Sequence, residues 1–448
     1  MTDVLGYVVG VAVLLVGVAL SIALHELGHL VPAKRFGVKC TQYMIGFGPT
    51  VWSRRRGETE YGFKLIPLGG YVRMLGMFPP RDGRPARADT TGRWGLMIEQ
   101  ARTDAQRDIS PEDGDRLFYQ RSVPKRLVIM LGGPVMNLLI AVVLLTLLVT
   151  TFGIAQQATT RIADVSQCVL PADAPASRTC TAADPKAPAA AAGLQPGDVI
   201  VAYAGQPVTS WEQVRDRIRG NDGTPVPLTV ERAGKRIDVQ VKPVVEPRPV
   251  ADADGNAVLD ADGNPRLQKV GFLGVVPAIV TERQSITAVP AVVGKGLAQT
   301  AGVVLRIPQK MVGVAQAAFG DGKRDPNGPV SVVGVTRFAG EVGAAQGSAA
   351  QPITFADKIA FWLGLVASLN LALFVFNLVP LLPLDGGHVA GALWEGLRRR
   401  VARLLHRPDP GPVDVARALP LAYGVASVLL GMSVLLIYAD IVNPVRIG

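Results

Sequence analysis

From Val4 to His25 the chain carries no Asp, Glu, Lys or Arg, and the run closes on the pentapeptide HELGH, His25 to His29. A helix crosses a bilayer in about 20 residues of this kind. Inside hydrocarbon every backbone N–H and C=O must be bonded within the protein, which leaves the helix as the natural conformation of a single long apolar run. On a helix, residues i and i+4 share a face. His25 and His29 can therefore aim both imidazoles at one metal ion, with Glu26 beside the open coordination position as general base. The competing reading takes the histidines as polar residues near a helix end that snorkel to the interface. The chain has only four histidines, so chance supplies this pattern in roughly one in a thousand such sequences on frequency arithmetic. Ionisable groups in or beside a span are also costly and mark function by default.

Three more runs lack Asp, Glu, Lys and Arg: Leu127 to Thr160, Ile359 to Leu384 and Ala418 to Ala439. Each is long enough to span. With 49% hydrophobic residues in 448 and a mean hydropathy of +0.29, the sequence reads as a multi-pass membrane protein with room for a soluble domain. The first run has no basic n-region and no small-residue cleavage site before HELGH, so it is expected to remain as a span rather than leave as a signal peptide. A net charge of +10 raises nucleic acid as a partner, but the placement of the charge argues for topology instead. Between Lys34 and Arg126 stand 18 Lys and Arg against 10 Asp and Glu, and Arg398, Arg399, Arg400, Arg403 and Arg407 cluster between the third and fourth runs. These are alternate loops. The positive-inside rule puts both in the cytoplasm, and puts the N-terminus and the long segment between the second and third runs outside. Membrane lipid, and no nucleic acid, is the expected surrounding.

A zinc ion that keeps one position for water needs a third protein ligand, and a carboxylate is a common partner of two histidines. The third run ends in NLVPLLPLDGGH, which carries Asp385 to the cytoplasmic side by the same parity that places His25 and His29 there. His388 is the rival ligand. It stands beyond Gly386 and Gly387, read here as ending the helix, and Asp385 is favoured. The Gly- and Pro-rich backbone from Pro380 to Gly387 is tolerated at membrane depth only where protein shields it or it lines a wet cavity.

With HELGH on the first run and NLVPLLPLDGG on the third, the chain resembles the site-2 protease family of zinc intramembrane metallopeptidases, whose motifs are HExxH and an Asn-x-x-Pro segment leading to Leu-Asp-Gly. Gly46-Phe47-Gly48-Pro49, TEYGFKLIPLGGYVRM (Thr59 to Met74), RLFYQRSVPKRLVIMLGGPVMN (Arg116 to Asn137) and GPVSVVGVTRFAGEVG (Gly328 to Gly343) resemble its bacterial RseP-like branch. GGPVMN departs slightly from the Ala-Gly-Pro common there. The resemblance implies Zn²⁺ held by His25, His29 and Asp385, Glu26 as catalytic base, and Asn377 near the bound substrate peptide. It also implies single-span membrane proteins as substrates, such as an anti-sigma factor or another tethered regulator already trimmed outside by a first protease.

Such a substrate has to be unwound, because helical hydrogen bonds bury the carbonyl to be attacked. GFGPTVW and TEYGFKLIPLGGYVRM carry strand-like residues with turn-forming RRRG, Arg54 to Gly57, between them. An edge strand there can hold an extended peptide by main-chain bonds. The candidate substrate-binding residues are Gly46, Gly48, Ile66, Pro67, Gly69, Gly70 and Tyr71, in what the resemblance implies is a membrane-entering β-loop. From Gly76 to Ser110 the composition reads as a partly disordered cytoplasmic loop.

In the outer segment, Ala191 to Gly220 reads as turn, strand, turn, strand and a helix opened by Thr209 or Ser210, with a hairpin about Gly234 following. This resembles a PDZ domain, whose groove takes an extended peptide or a C-terminal carboxylate. Asp254-Gly255-Asn256 and Asp262-Gly263-Asn264 read as exposed turns that lack the bidentate Glu of a calcium loop. Ile286 to Phe319 reads either as an amphipathic helix on the outer membrane surface, interrupted at Pro308, or as a soluble connector. Cys168 and Cys180 fall outside, where oxidation is permitted, and Cys40 inside; a disulfide and two free thiols both remain open.

The sequence thus describes an α-helical multi-pass membrane protein of four spans with an extracytoplasmic β-rich PDZ-like domain and a membrane-associated β-hairpin. Its expected divisions are a first span with HELGH over 1–31, a cytoplasmic loop over 32–123 with the clamp hairpin at about 44–75, a second span over 124–160, the PDZ-like domain over 161–280, an outer amphipathic connector over 281–357, a third span with LDGG over 358–388, a basic cytoplasmic loop over 389–415 and a fourth span over 416–440. A CAAX-type membrane peptidase would also use HExxH but wants a Glu ligand downstream in place of LDGG. Intact HELGH and Asp385 argue against a PDZ-bearing scaffold or pseudoprotease.

Overall fold

The computed structural model describes residues 2–79, 98–100, 103, 105–107, 109–171, 178, 180–250, 266–320, 324, 328–346 and 353–445. In chain order, α1 (Thr2–Arg35) leads to strands β1 (Cys40–Arg56) and β2 (Thr59–Met74) and to α2 (Val123–Leu147), which ends in a π-turn at Leu148–Phe152. Then come β3 (Ile154–Val165), α3 (Pro188–Ala191), β4 (Val199–Tyr203), β5 (Gln206–Pro207), α4 (Trp211–Arg219), β6 (Val226–Arg232), β7 (Lys235–Val241), β8 (Val244–Pro249), β9 (Leu267–Phe272) and β10 (Val275–Glu282). Helices α5 (Val289–Leu305), α6 (Ile307–Phe319), α7 (Val332–Ala344), α8 (Phe355–Asn377), α9 (Asp385–Leu404) and α10 (Leu419–Val442) complete the chain. Among the described residues, five helical segments are long and apolar enough to cross a membrane: Asp3–Arg35, Val123–Phe152, Ile286–Leu305, Phe355–Asn377 and Val415–Val442. Four of them fall on the four runs seen in the sequence. The protein is a multi-pass membrane protein with a β-rich domain.

The elements form two units: Met1–Leu148 with Ser285–Ala345 and Lys358–Ile447, and Val149–Gln284 with Gln346–Asp357. In the helical unit α1 is the common partner. α2 runs antiparallel to it, since Gly28 meets Gly132 at one end and Leu144 joins the cluster of Leu14, Trp362 and Val366 at the other. α8 runs parallel to it, with Gly17 against Val366 and the Asn370 amide donating to Ser21 Oγ at 2.8 Å a turn further on. α7 covers the first half of α1. A Cβ built at Gly6 would sit 2.4 Å from the Gly343 carbonyl oxygen, and one at Gly10 would sit 2.1 Å from that of Ala339, so backbones touch where small residues recur every fourth position, as helices pack in lipid.

Several boundaries differ from the sequence reading. The second helix gives way at Gly153, whose φ of +87° suits glycine, so residues 154–160, expected in the span, are strand; an apolar run without charges does not tell one from the other. The third span, expected over 358–388, is not one helix. Helix α8 stops at Asn377, and Gly386 and Gly387 stand in the first turn of α9 instead of ending a helix. The basic loop expected over 389–415 is largely that helix. Among its described residues the connector holds three α-helices, the first two breaking at Arg306 beside Pro308. The turns at 254–256 and 262–264, and much of the loop at 76–110, lie outside the described residues.

In the β unit the strand order is β10-β3-β4-β6-β7, with β5 pairing β4 and β8-β9 a separate hairpin. Alternation puts Ile162, Ile200, Leu228 and Val230 of the strands with Val214 and Ile218 of α4 into one core. Ser210 caps α4, its hydroxyl accepting from the Gln213 N–H. Buried Asp198 takes both Nε and Nη2 of Arg232, at 2.7 and 2.8 Å, and the Gln195 N–H at 2.9 Å. Burial raises its carboxyl pKa, but the guanidinium outweighs that and holds it below the usual range. Cys168 and Cys180 are joined as a disulfide.

Candidate metal centre

The three residues singled out as metal ligands meet. His25 Nε2 and His29 Nε2 are 3.3 Å apart, and Asp385 Oδ2 lies 3.4 Å from the first and 3.3 Å from the second. The histidines come from successive turns of α1. Asp385 reaches them because the chain breaks between α8 and α9: Pro380 and Pro383 bring no N–H to a helix, and the next helix starts on Asp385, where an N-terminus favours an acid. His29 Nδ1 donates to the Ile129 carbonyl of α2 at 2.8 Å. A carbonyl can only accept, so the proton sits on Nδ1 and the Nε2 lone pair faces the other two ligand atoms.

Tetrahedral zinc at about 2.0–2.1 Å from N and O ligands spaces those ligands about 3.3 Å apart. The observed triangle has that size. Among the described residues Asp385 Oδ2 is buried with no hydrogen-bond donor, a costly state for a carboxylate unless a cation is shared. The residues fit zinc with a fourth position open.

Glu26 faces β2. A Cβ at Gly70 would lie 2.9 Å from Glu26 Cγ, and the Val72 backbone hydrogen-bonds to the Glu26 carboxylate. The hairpin is longer than the expected 44–75 at its start, turns at Gly57-Glu58, and folds back on itself. Residues 42–45 of β1 pair on one side with 60–63 of β2, and 40–45 pair on the other with 70–74, while 50–56 pair with 59–64. Among the described residues this leaves 70–72 as a sheet edge beside the glutamate. Of the other candidate residues, Gly46 and Gly48 lie in β1, Ile66 and Gly69 in β2, and Tyr71 stacks on Phe47 with ring centroids 6.3 Å apart. Pro67 lies in β2, its side chain outside the described residues. Asn377 is the last residue of α8, separated from Asp385 by the break. Phe47, Val51, Trp52, Phe63, Leu65 and Ile66 are exposed, an apolar surface on the hairpin.

Polar ties fix the hairpin's base. Arg116 grips Glu58 with two bonds of 2.8 Å, and Lys39 reaches Asp113 at 2.8 Å. The Lys39 ammonium and the Ser110 hydroxyl hold the Asp113 carboxyl down to about 2, and Arg116 lowers that of Glu58. Tyr43 Oη donates to the Ala23 carbonyl at 2.7 Å, two residues before HELGH. The sequence reading missed Ile129, whose role is carried by a carbonyl, and the pair Gly132-Gly133. A Cβ at Gly133 would stand 2.2 Å from His29 Nε2; the signal for it was a small-residue step in an apolar helix.

The profile of peptidase family M50 matches residues 13–406. The zinc metalloprotease Rip1 of Mycobacterium tuberculosis is 33% identical over 449 aligned residues, 98% of this chain and 99% of that protein. Rip1 of Mycolicibacterium smegmatis is also 33% identical, with 98% of each chain covered. Apolar helices, a ligand set sized for zinc and these matches define a membrane zinc metalloprotease. The chain belongs to peptidase family M50, the site-2 proteases.

Proposed function

We propose that the protein is an intramembrane endopeptidase of four spans that cleaves single-span membrane proteins near the cytoplasmic face, with His25, His29 and Asp385 as zinc ligands and Glu26 as general base. The observation that carries this reading is the ligand triangle set beside an open sheet edge, with Glu26 between them. The chemistry a bound zinc supplies is Lewis acidity toward water and the scissile carbonyl. Glu26 takes the water's proton and returns it to the leaving amine. Ile129 keeps His29 in the ligating tautomer. Residues 70–72 offer main-chain partners to an unwound substrate, replacing the helical hydrogen bonds it gives up. Gly70 lets that edge close on the base.

Four crossings are supported by helix sense. α1 and α8 run parallel and α2 antiparallel, so the chain makes an even number of crossings between α2 and α8. Crossing by α5 alone would break that parity, and α6 and α7, with 13 residues each, are short of the about 20 a span needs. Basic-residue placement then puts the N-terminus and the β domain outside the cytoplasmic membrane and the site toward the cytoplasm. In this reading the β domain is a PDZ-like gate, residues 281–357 an outer membrane-associated connector, Asn377 and the hairpin line the peptide, and the substrate is a tethered regulator, of the anti-sigma-factor kind, trimmed first by another protease.

The test is metal content with cleavage of a single-span reporter. Glu26→Gln keeps zinc and loses cleavage; His29→Ala and Asp385→Ala lose both. Normal cleavage by any of the three removes the assignment.

A further inference from the structure

The third ligand stands at the start of a helix that has to be held in place from elsewhere. Asp385 is the first residue of α9, and Glu395 lies ten residues on, about 15 Å along the helix axis. Glu395 is completely buried and pairs with Arg126 of α2, which is 5% exposed. Its second oxygen accepts from the Val413 N–H at 2.9 Å, and Arg399, one turn further along α9, adds a contact at 3.1 Å. Beside this pair the helices touch, since a Cβ at Gly396 would lie 3.4 Å from Val123.

Arg126 stands three residues before Ile129, whose carbonyl holds His29, and seven before Gly133, which packs on both imidazoles. One face of α2 therefore sets the histidines, and the same helix, one turn earlier, anchors the helix that carries the aspartate. We infer that the buried Arg126–Glu395 pair is a positioning pair for the metal site: it docks α9 on α2 and so fixes Asp385 at ligating distance from His25 and His29. The inference rests on the ligand assignment proposed above. A buried ion pair is weak support for stability, because well-packed apolar residues do as well or better. Loss of Glu395, by contrast, strands the buried Arg126 charge between the helices, and loss of Arg126 leaves Glu395 only the contact to Arg399 of its own helix, which does not dock α9 on α2. What the pair supplies is therefore read in the ligand geometry.

The experiment uses the full-length protein in detergent, with zinc affinity measured by chelator competition and the ligand field by the visible spectrum of the cobalt(II)-substituted protein. Glu395→Gln and Arg126→Gln should each weaken zinc 10- to 100-fold, the range of changes to groups that orient ligands, and alter the cobalt bands. Arg126→Met combined with Glu395→Leu should restore affinity to within about threefold, because a packed apolar pair keeps the helices docked. Arg399→Ala, on the network's half-buried arm within α9, should leave zinc unchanged. Monodisperse single variants with wild-type affinity and spectrum overturn the inference. So does a double variant that folds and binds zinc poorly, and this arm decides the matter if the single variants fail to fold. Asp385→Ala is the control: if it keeps wild-type zinc affinity, the ligand assignment fails and not the docking role of the pair.

Discussion

Two glycines distinguish the proposed ligands from the proposed base, and alanine at each should break one function and spare the other. At Gly133 the new methyl would lie 2.2 Å from His29 Nε2 and 2.7 Å from His25 Cε1, the first short of ordinary contact at about 3.5–4.0 Å by more than an ångström and the second by about an ångström. The His29 ring cannot retreat and keep its bond to Ile129, because that carbonyl is on the same helix as the methyl. A ligand must swing out. Disturbing a group that only orients a ligand costs up to about 100-fold in metal affinity, so displacing the ligand itself should cost at least that, about 2.8 kcal/mol. Helix propensity alone would make Gly133→Ala favourable by about 1 kcal/mol, so a loss would be steric. At Gly70 the methyl would meet Glu26 Cγ at 2.9 Å, the Met44 carbonyl at 3.0 Å and Ile22 Cγ2 at 3.1 Å. None of these is a ligand. Zinc affinity should stay within about twofold, while a shift of the base by up to 1 Å lowers cleavage by about 100-fold. Chelator competition and the initial rate on a single-span reporter read the two effects in the same preparations. Zinc loss in Gly70→Ala, or unchanged zinc in Gly133→Ala, would refute this division of the site.

Reducing the Cys168–Cys180 bridge, which closes a loop of sequence separation 12, should destabilise the β domain by about 3 kcal/mol on the chain-entropy estimate; differential scanning calorimetry with and without reductant measures it, and an unchanged transition counts against it. The Asp198 carboxyl sits below its unfolded value of about 3.9, so its contribution is full above that pH and disappears as pH falls through the folded value. Asp198→Asn should therefore melt earlier than wild type at pH 7, and the gap should close below pH 4. Ala204 and Ala233 hold φ of 52° and 50° in turns that each end in glycine; replacing either by Gly should raise stability by about 1 kcal/mol by removing left-handed strain, and a lowered melting temperature would show the strain is absent.

Much of the site was legible because its chemistry is carried by side chains at fixed spacing. His25 and His29 need only the helical period, and Asp385 needs only the parity of charge-free runs to reach the same side. Hydropathy found four of the five long apolar helices for the same reason. It misplaced their ends wherever the deciding quantity was a backbone angle or a close approach. Gly153 stops α2 through its dihedral angle, and Gly386 and Gly387 read as a helix stop although they open α9. A Cβ at Gly386 would sit 2.2 Å from the Val379 carbonyl, so the glycine is there to let the preceding turn fold against the new helix. The helix breaks earlier, at Asn377, on the approach to Pro380.

What the sequence withheld most completely was which face meets which. Gly28 and Gly132 are ordinary small residues in apolar helices until their backbones are seen to touch, and that contact sets the height at which Ile129 meets His29. A carbonyl has no identity in a sequence, so no motif could name it. The same holds for the sense of α8: nothing in its composition says that Asn370 bonds to Ser21, yet that bond, with Gly17 against Val366, makes the first and third apolar runs parallel. Parallel runs bring the ends of α1 and α8 to one side of the membrane, and only then can a chain break after α8 deliver a carboxylate to two histidines at the end of α1. The proposed metal centre is thus a consequence of helix sense as much as of the three residues proposed as its ligands, and sense is fixed by small residues and one buried amide that carry no chemistry of their own.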